Sequence, residues 1–248
     1  MRKETLQKIA LLIAIIFVLT ACRLPQIHVV RGSGLIETET RHVGDFNKIQ
    51  FDGVGTLIIT QGSANALEIK AESNLLDHLV SDVSGDTLKL GFERQTWYSR
   101  VIPTKDITYR LTVQDLEAII INGVGNLKID AFDAPSLEIT MNGTGKIEIN
   151  NLAAESLAVN INGTGKVEVS GQAQSQSVDI NGSGNYDAGA LSTETTTIEI
   201  EGVASSTVWV TDMLDIRING WGSVDYYGSP SVMQDVNGMG DISHLGNK

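Results

Sequence analysis

Carboxylates recur at fixed intervals along the second half of this 248-residue chain. Aligned by repeat, one outward position reads Lys128, Glu148, Glu168, Asp187 and Asp225. Another reads Thr140, Asn160, Asp179, Glu199, Arg217 and Asp235. If these repeats stack as strands about 4.8 Å apart, neighbouring carboxylates stand near the roughly 5 Å separation of a retaining glycosidase pair. The same spacing suits a shared Ca²⁺, which takes clustered hard oxygen ligands. A solvated acidic face carries more weight, with Lys146 and Lys166 beside it relieving repulsion. Lyase chemistry on polyuronates also needs basic residues to hold the anionic chain, and the repeats contain few. No catalytic, cofactor-binding or metal-binding residue is therefore assigned. His28, His42, His78 and His244 lack metal-ligand spacing; His244 falls at a core-facing phase and reads as a cap on the last coil. Trp209 and Trp221 could face solvent and stack on sugars, but Trp221 lies inside a corner and reads as a packing or partly exposed residue. The single cysteine, Cys22, excludes a disulfide framework or thiolate cluster within one chain.

Stacked positions require elements that stack, and the sequence supplies them. Asn-Gly-x-Gly recurs at Asn122, Asn142, Asn162, Asn181, Asn219 and Asn237, with a degenerate copy at Glu201-Gly202-Val203-Ala204. Successive spacings are 20, 20, 19, 20, 18 and 18 residues, and an earlier copy opens at Asp52-Gly53-Val54-Gly55. A constant period over this many copies signals a repeat architecture. Each turn is flanked by apolar residues alternating with polar ones, such as Leu137, Ile139 and Met141 before it and Ile147 and Ile149 after it. That is the pattern of half-buried strands. One coil is strand, Asn-Gly-x-Gly corner, strand and a looser return such as 150–156.

A meander of hairpins would need a second turn signal of equal strength in every repeat. The returns NLAAES and DAFDAPS lack one. Like residues at like phase are what a parallel solenoid demands, since each repeat packs only on its neighbours. The fold expected is an all-β, single-stranded parallel β-helix (β-solenoid) of about 20-residue coils. Its corner Asn residues should form a column of buried, mutually bonded amides, and its glycines should supply positive φ at the turns. Glu201 and Ala204 should make one corner locally different.

Residues 92–106 (FERQTWYSRVIPTKD) have no clear period and read as an insertion or lateral loop. Trp97, Tyr98 and Arg100 make it a candidate contact patch, although aromatics packed on the rod or over an edge are the plainer reading. Net charge is −12: Arg2, Lys3 and Lys8 against Glu4 leave the first 21 residues at +2 and the remainder at −14. A body this acidic is repelled by phosphate backbones, which argues against nucleic acid as a partner. Anionic headgroups repel it too, so membrane attachment must be hydrophobic or covalent.

The apolar run Ile9 to Leu19 follows a basic start and ends in Leu19-Thr20-Ala21-Cys22, the layout of a secretory signal. It is short for a membrane span, which needs about 20 apolar residues. Leu-Thr-Ala-Cys resembles the lipobox of bacterial lipoproteins. The resemblance implies a diacylglycerol on the Cys22 thiol, cleavage before it and usually a further acyl chain, which together anchor stably. The expected organisation is a signal peptide over 1–21, lipidated cysteine and tether over 22–40, and the solenoid domain over 41–246.

The opening Arg41-His42-Val43-Gly44-Asp45-Phe46-Asn47-Lys48-Ile49, Gln61-Gly62, Glu72-Ser73-Asn74-Leu75-Leu76, the Gly-x-Gly coils and the closing Tyr227-Gly228-Ser229-Pro230 resemble the "putative auto-transporter adhesin head GIN domain" family. The resemblance covers roughly residues 40–246. It implies a right-handed single-stranded β-helix on a lipoprotein or exported protein, and it offers no catalytic residues. The family often carries Ser-Gly-x-Gly where this chain has Asn-Gly-x-Gly. The function expected is a lipid-anchored, non-catalytic module of the cell envelope, in the outer membrane or on the outer face of the cell membrane. Its partner would be a glycan or an envelope protein, with no cofactor. The competing expectation is a carbohydrate-active β-helix enzyme of lyase or glycosidase type, which would show a long charged cleft rather than a flat face. Oligomeric state is left open.

Overall fold

A computed structural model describes residues 28–93 and 99–248. The strands are β1 (His28–Arg31), β2 (Ile36–Arg41), β3 (Lys48–Phe51), β4 (Val54–Gln61), β5 (Ala66–Glu72), β6 (Leu79–Ser84), β7 (Thr87–Phe92), β8 (Ser99–Ile102), β9 (Thr108–Val113), β10 (Ala118–Ile121) and β11 (Val124–Ile129). They continue with β12 (Phe132–Met141), β13 (Thr144–Ile161), β14 (Thr164–Ile180), β15 (Ser183–Ile200), β16 (Val203–Ile218), β17 (Trp221–Tyr227), β18 (Ser231–Val236) and β19 (Met239–Gly246). From β10 onward every pairing is parallel and in repeat register: Ile119 faces Ile139, which faces Val159 and then Val178. The protein is a β-solenoid of about six turns. Among the described residues, no helix is long and apolar enough to cross a membrane.

The core follows from the alternation. Ile119, Ile139, Val159, Val178, Ile198 and Ile216 form one fully buried column, and Ile121, Met141, Ile161, Ile180, Ile200 and Ile218 form the next. One interior column changes chemistry midway. Leu137 and Leu157 are followed by Gln176 and Thr196, and then by Leu214. The Tyr186 hydroxyl donates to Gln176 Oε1 at 2.8 Å, and Gln176 Nε2 donates to Thr196 Oγ1 at 2.9 Å. Thr193 and Thr196 hydroxyls meet at 2.8 Å, and Thr193 also donates to the Trp209 carbonyl. Tyr186 reaches across the interior from a column otherwise filled by Ile147 and Val167, and the small Ser206 stacks on it. A buried hydroxyl needs a partner, so the facing column turned polar. Burial pushes the Tyr186 hydroxyl's pKa well above its ordinary value.

The first third departs from simple coiling. β3 lies parallel to both β7 and β10, and β4 lies parallel to both β9 and β11. The chain thus lays down one tier, builds an end layer beneath it, then crosses back to continue above. In that layer β5 runs antiparallel to β2 and β9, and β6 runs antiparallel to β7. This covers the first tier and passes the edge to β2 and β6, each paired on one side only among the described residues and carrying Glu37, Glu39 and Arg41 or Asp82, charges that discourage further pairing. Residues 28–31 and 36–41, assigned to the tether by sequence, are strands: β1 pairs with β8, and β2 completes the cap. The alternation in Ile36-Glu37-Thr38-Glu39 was legible, but its partner β5 lies about 30 residues on, with no local signal. Part of the expected lateral loop is likewise strand β8.

Glu72 ties the cap together. Its buried carboxylate accepts hydrogen bonds from the Gly34 and Thr104 backbone amides, each at 2.7 Å, and from the Thr104 hydroxyl at 2.5 Å. Asn74 accepts from Ser33 N and donates to the Arg31 carbonyl, both at 2.8 Å. Arg41 donates to the carbonyls of Leu76 and Leu79 at the end of the 3-10 helix Ser73–His78. Gln61 clasps both the amide and the carbonyl of Asp133 in the next coil, each at 2.9 Å.

The corner glycines serve a purpose other than the one expected. None of the coil corners from Asn122 onward has a glycine at positive φ. Instead, a Cβ at Gly123, Gly143, Gly163, Gly182, Gly202, Gly220 or Gly238 would lie 1.9–2.1 Å from the carbonyl oxygen of the corner glycine one tier below. Close backbone approach excludes a side chain. At the second glycine the constraint loosens, from 1.7 Å at Gly145 through 2.2 Å at Gly165 to 3.1 Å at Gly184. Ala204 occupies the next tier, where there is room.

Gly163→Ala should therefore destabilise by at least about 3 kcal/mol, and Gly184→Ala by less than about 1 kcal/mol, as read by denaturant unfolding. Equal effects would refute this account of the corner. Burial alone would raise the Glu72 pKa, but the hydrogen bonds from Thr104 and Gly34 outweigh it and hold the pKa at about 2. The native carboxyl thus lies below its unfolded value of about 4.3. Its contribution is complete above the unfolded value and is lost as pH falls toward the folded one. Hydrogen-exchange protection at residues 31–35 and 104–105, taken relative to the intrinsic rate at each pH, should fall between about pH 4.3 and pH 2 in wild type. In Glu72→Gln that protection should already be low at neutral pH and lack the acid transition.

Candidate functional site

Two long surfaces run along the rod: the charged wall and the Asn-Gly-x-Gly corner. On the wall, Lys128 reaches Glu148 at 3.2 Å, Lys146 bonds Glu148 and reaches Glu168 at 2.6 Å, and Lys166 bonds Glu168. Lys146 stacks on Lys166 and Glu148 on Glu168, so the two signs form adjacent columns that pair within a tier and diagonally to the next. Hydrogen bonds from Lys146 and Lys128 pull the Glu148 carboxyl below its usual range, and those from Lys146 and Lys166 do the same to Glu168. The same bonds, from Glu148 and then Glu168, raise Lys146. A glycosidase general acid needs the opposite shift. Among the described residues, no group of three or more His, Cys, Asp or Glu is placed to hold a metal ion. The wall is a neutralised charge ladder.

A cleft of about 720 Å³ lies beside the first coil, with Asp45, Asp86, Asp115 and Glu117 on its walls. It meets a second cleft of about 450 Å³ at Ala134 and Pro135, lined further by Glu155 and Glu194. Neither lining contains Lys or Arg, so neither offers the cation that would hold an anionic polysaccharide at a lyase centre.

At the corner, Asn122 donates to Asp52 at 2.7 Å, Asn142 to Asn122 at 2.8 Å, Asn162 to Asn142 at 2.9 Å and Asn181 to Asn162 at 3.1 Å. Asn237 donates to Asn219 at 3.4 Å. This ladder is exposed on the outside of the corner rather than buried, because the glycine after each Asn is the residue that abuts the tier below. Glu201 interrupts it. A carboxylate has no proton to donate to Asn181, and among the described residues no side-chain hydrogen bond joins Asn181, Glu201 and Asn219 to one another.

Beside the ladder runs the third residue of each corner: Val54, Val124, Thr144, Thr164, Ser183, Val203, Trp221 and Met239, stacked in register. Thr144, Thr164 and Ser183 suit an exposed position. Val203, Trp221 and Met239 leave it 59%, 62% and 66% exposed. Trp221, read from sequence as packing or partly exposed, faces solvent because its side chain leaves the corner outward. The two departures from the repeat, an acid in the amide ladder and apolar groups in the polar column, thus meet on adjacent columns over the same tiers. Exposed Glu201, Asn219 and Asn237 flank the apolar group, an apolar centre with a polar rim. Trp and Met are characteristic of such contact surfaces. The first corner also sets an acid, Asp52, beside exposed valines, Val54 and Val124; aligning the repeats would have shown that only the later patch carries the large side chains of Trp221 and Met239.

Trp209 is half-buried, with the Lys248 ammonium 5.5 Å from its ring centre. His244 stacks on Tyr226 at 4.9 Å and bonds the Gly228 carbonyl at 2.7 Å, on the last tier. Arg100 is exposed on β8. Cys22, Trp97 and Tyr98 lie outside the described residues.

The family model described as "Putative auto-transporter adhesin, head GIN domain" matches residues 45–230. Among solved structures, a "putative adhesin" from Bacteroides fragilis is 28% identical with a TM-score of 0.82, covering 87% of this chain and 100% of that one. A "putative lipid binding protein" from Parabacteroides distasonis is 23% identical with a TM-score of 0.70, covering 88% and 99%. A second "putative adhesin" from the same species is 19% identical with a TM-score of 0.66, covering 88% and 100%. The latter two share the fold. No curated protein matches the chain.

If Glu201 is held against the interest of the fold, restoring the repeat should help folding. Glu201→Asn should stabilise by about 0.5–1 kcal/mol, measured as a shift of the urea midpoint. A destabilised variant would show that Glu201 is structural.

Proposed function

This chain belongs to the head GIN domain family of adhesin-like proteins, and we propose that it is an exported, lipid-anchored envelope module that binds a partner through the corner patch of Val203, Trp221 and Met239. The observation that carries the reading is the coincidence at that corner: the amide ladder breaks at Glu201, and beside it Val203 is followed by Trp221 and Met239, the largest exposed apolar side chains in a column that elsewhere carries Thr, Ser or Val. Contiguous exposed apolar groups on an otherwise polar surface mark interaction sites. The patch presents no nucleophile and no acid–base pair, so the activity is binding without turnover. The acid at Glu201 favours a partner that brings a cation or hydroxyl donors to the rim. Cys22 provides the anchor through its acyl chains.

Two substitutions test this separately. Trp221→Ser should reduce binding of the labelled mature chain to intact bacterial cells by about tenfold or more, with its unfolding midpoint unchanged because the ring is exposed. Unaltered binding would remove the patch from the function. Cys22→Ser should move the expressed protein from the detergent phase to the aqueous phase in Triton X-114 partitioning; retention in detergent would refute lipid anchoring at that residue.

A further inference from the structure

We propose that the open C-terminal end of the rod is a self-association surface, where β18 of one copy pairs antiparallel with β18 of a second about a two-fold axis at Gln234. Among the described residues, β18 pairs only with β16 and β19 only with β17. The outward backbone groups of the last tier therefore form a free sheet edge. Val232, Gln234 and Val236 stand over Leu214, Ile216 and Ile218, which are completely buried, and Val236 is itself 41% exposed. The core column thus continues to the end face and stops uncovered.

The tail of the chain does not close this face. Asn247 bonds Ser229 at 2.8 Å, and Lys248 bonds the carbonyl of Gly189 on β15 with its ammonium 4.2 Å from the Tyr227 ring centre. The tail runs back along the wall toward earlier tiers. The opposite end of the rod finishes in antiparallel edge strands β2 and β6, which carry Glu37, Glu39 and Arg41 or Asp82. Natural edges are usually protected by lysine, proline or a bulge, and β18 (Ser231-Val232-Met233-Gln234-Asp235-Val236) contains no lysine or proline and keeps an unbroken register.

The sequence of β18 is complementary to itself. Pairing about Gln234 sets Val232 against Val236 of the second copy on the inner face and joins the two Gln234 amides. Outside, Met233 meets Asp235 of the second copy, so no like charges oppose. The contact is isologous and stops at two copies, because it consumes the same edge of both. Resting on the anchored reading above, the pairing has a mechanical consequence. β1 and the Glu72 staple lie at the capped end, so the joined rods carry their anchors at opposite extremes and can hold two membranes together.

Sedimentation equilibrium on the chain from residue 22 onward, carrying Cys22→Ser, tests the pairing without the lipid. Wild type should dimerise with rising concentration. Gln234→Lys and Gln234→Glu should each lower the association constant by about tenfold or more, because like charges meet on the axis. A one-to-one mixture of the two should dimerise again. Gln234 is exposed, so circular dichroism should show both variants folded. A wild-type protein that stays monomeric, or a dimer indifferent to Gln234→Lys, overturns the proposal. A second arm uses lipidated protein in phosphatidylcholine vesicles, scored by light scattering. Dimerisation in solution without vesicle clustering would keep the end contact and reject the anchored bridging role.

Discussion

The structure depends on how closely one corner can lie on the next. At each Asn-Gly-x-Gly the backbone carbonyl of one tier occupies the space where the next tier would carry a Cβ. Because that approach is made by main chain alone, the amides of Asn142 and Gly143 can both reach the Ile121 carbonyl, and the same pair of bonds repeats up the rod. Parallel register then follows tier by tier, since a slip of one residue would turn every buried side chain outward. The buried isoleucine columns, the lysine–glutamate wall and the asparagine ladder are all consequences of this stacking.

A repeat held this way separates what folding needs from what it does not. The first corner glycine is retained through all eight corners, while the third residue varies from threonine to tryptophan, because it bonds the tier below through its backbone amide and projects its side chain outward. Variation there costs the fold little, so it is where a binding surface can change freely. The paired lysines show the converse. Charges that look catalytic in isolation become structural once neighbouring tiers supply opposite partners, and surface pairs of this kind contribute modestly even when geometry is good.

The two ends of the rod solve the edge problem differently. At the N-terminal end, antiparallel strands cover the first tier and leave the edge to the charged strands β2 and β6, while Glu72, Asn74 and Arg41 lock the entering chain with hydrogen bonds to backbone. The family signature residues quoted from the sequence are therefore mostly fastenings, which explains why they carry no chemistry. At the C-terminal end no such fastening covers β18 and β19, and the last apolar residues meet solvent.

Period and alternation were enough to read the parallel coils, the buried columns and the position of every corner, because stacking imposes the same local pattern on each repeat. The repeat also shows where the pattern fails, at Glu201 and at Trp221. Three things needed the folded chain. The reason for the corner glycines is contact with another tier, not the local φ, and nothing in Asn-Gly-x-Gly separates the two. The cap joins Glu72 to Gly34 and Thr104, each more than 30 residues away, and such pairings leave no period. The outward path of the Trp221 side chain depends on which face of the corner the backbone presents. Sequence determined what repeats, since periodic packing writes itself into residue spacing; tertiary structure decided what closes, faces and ends the rod, since those contacts occur once.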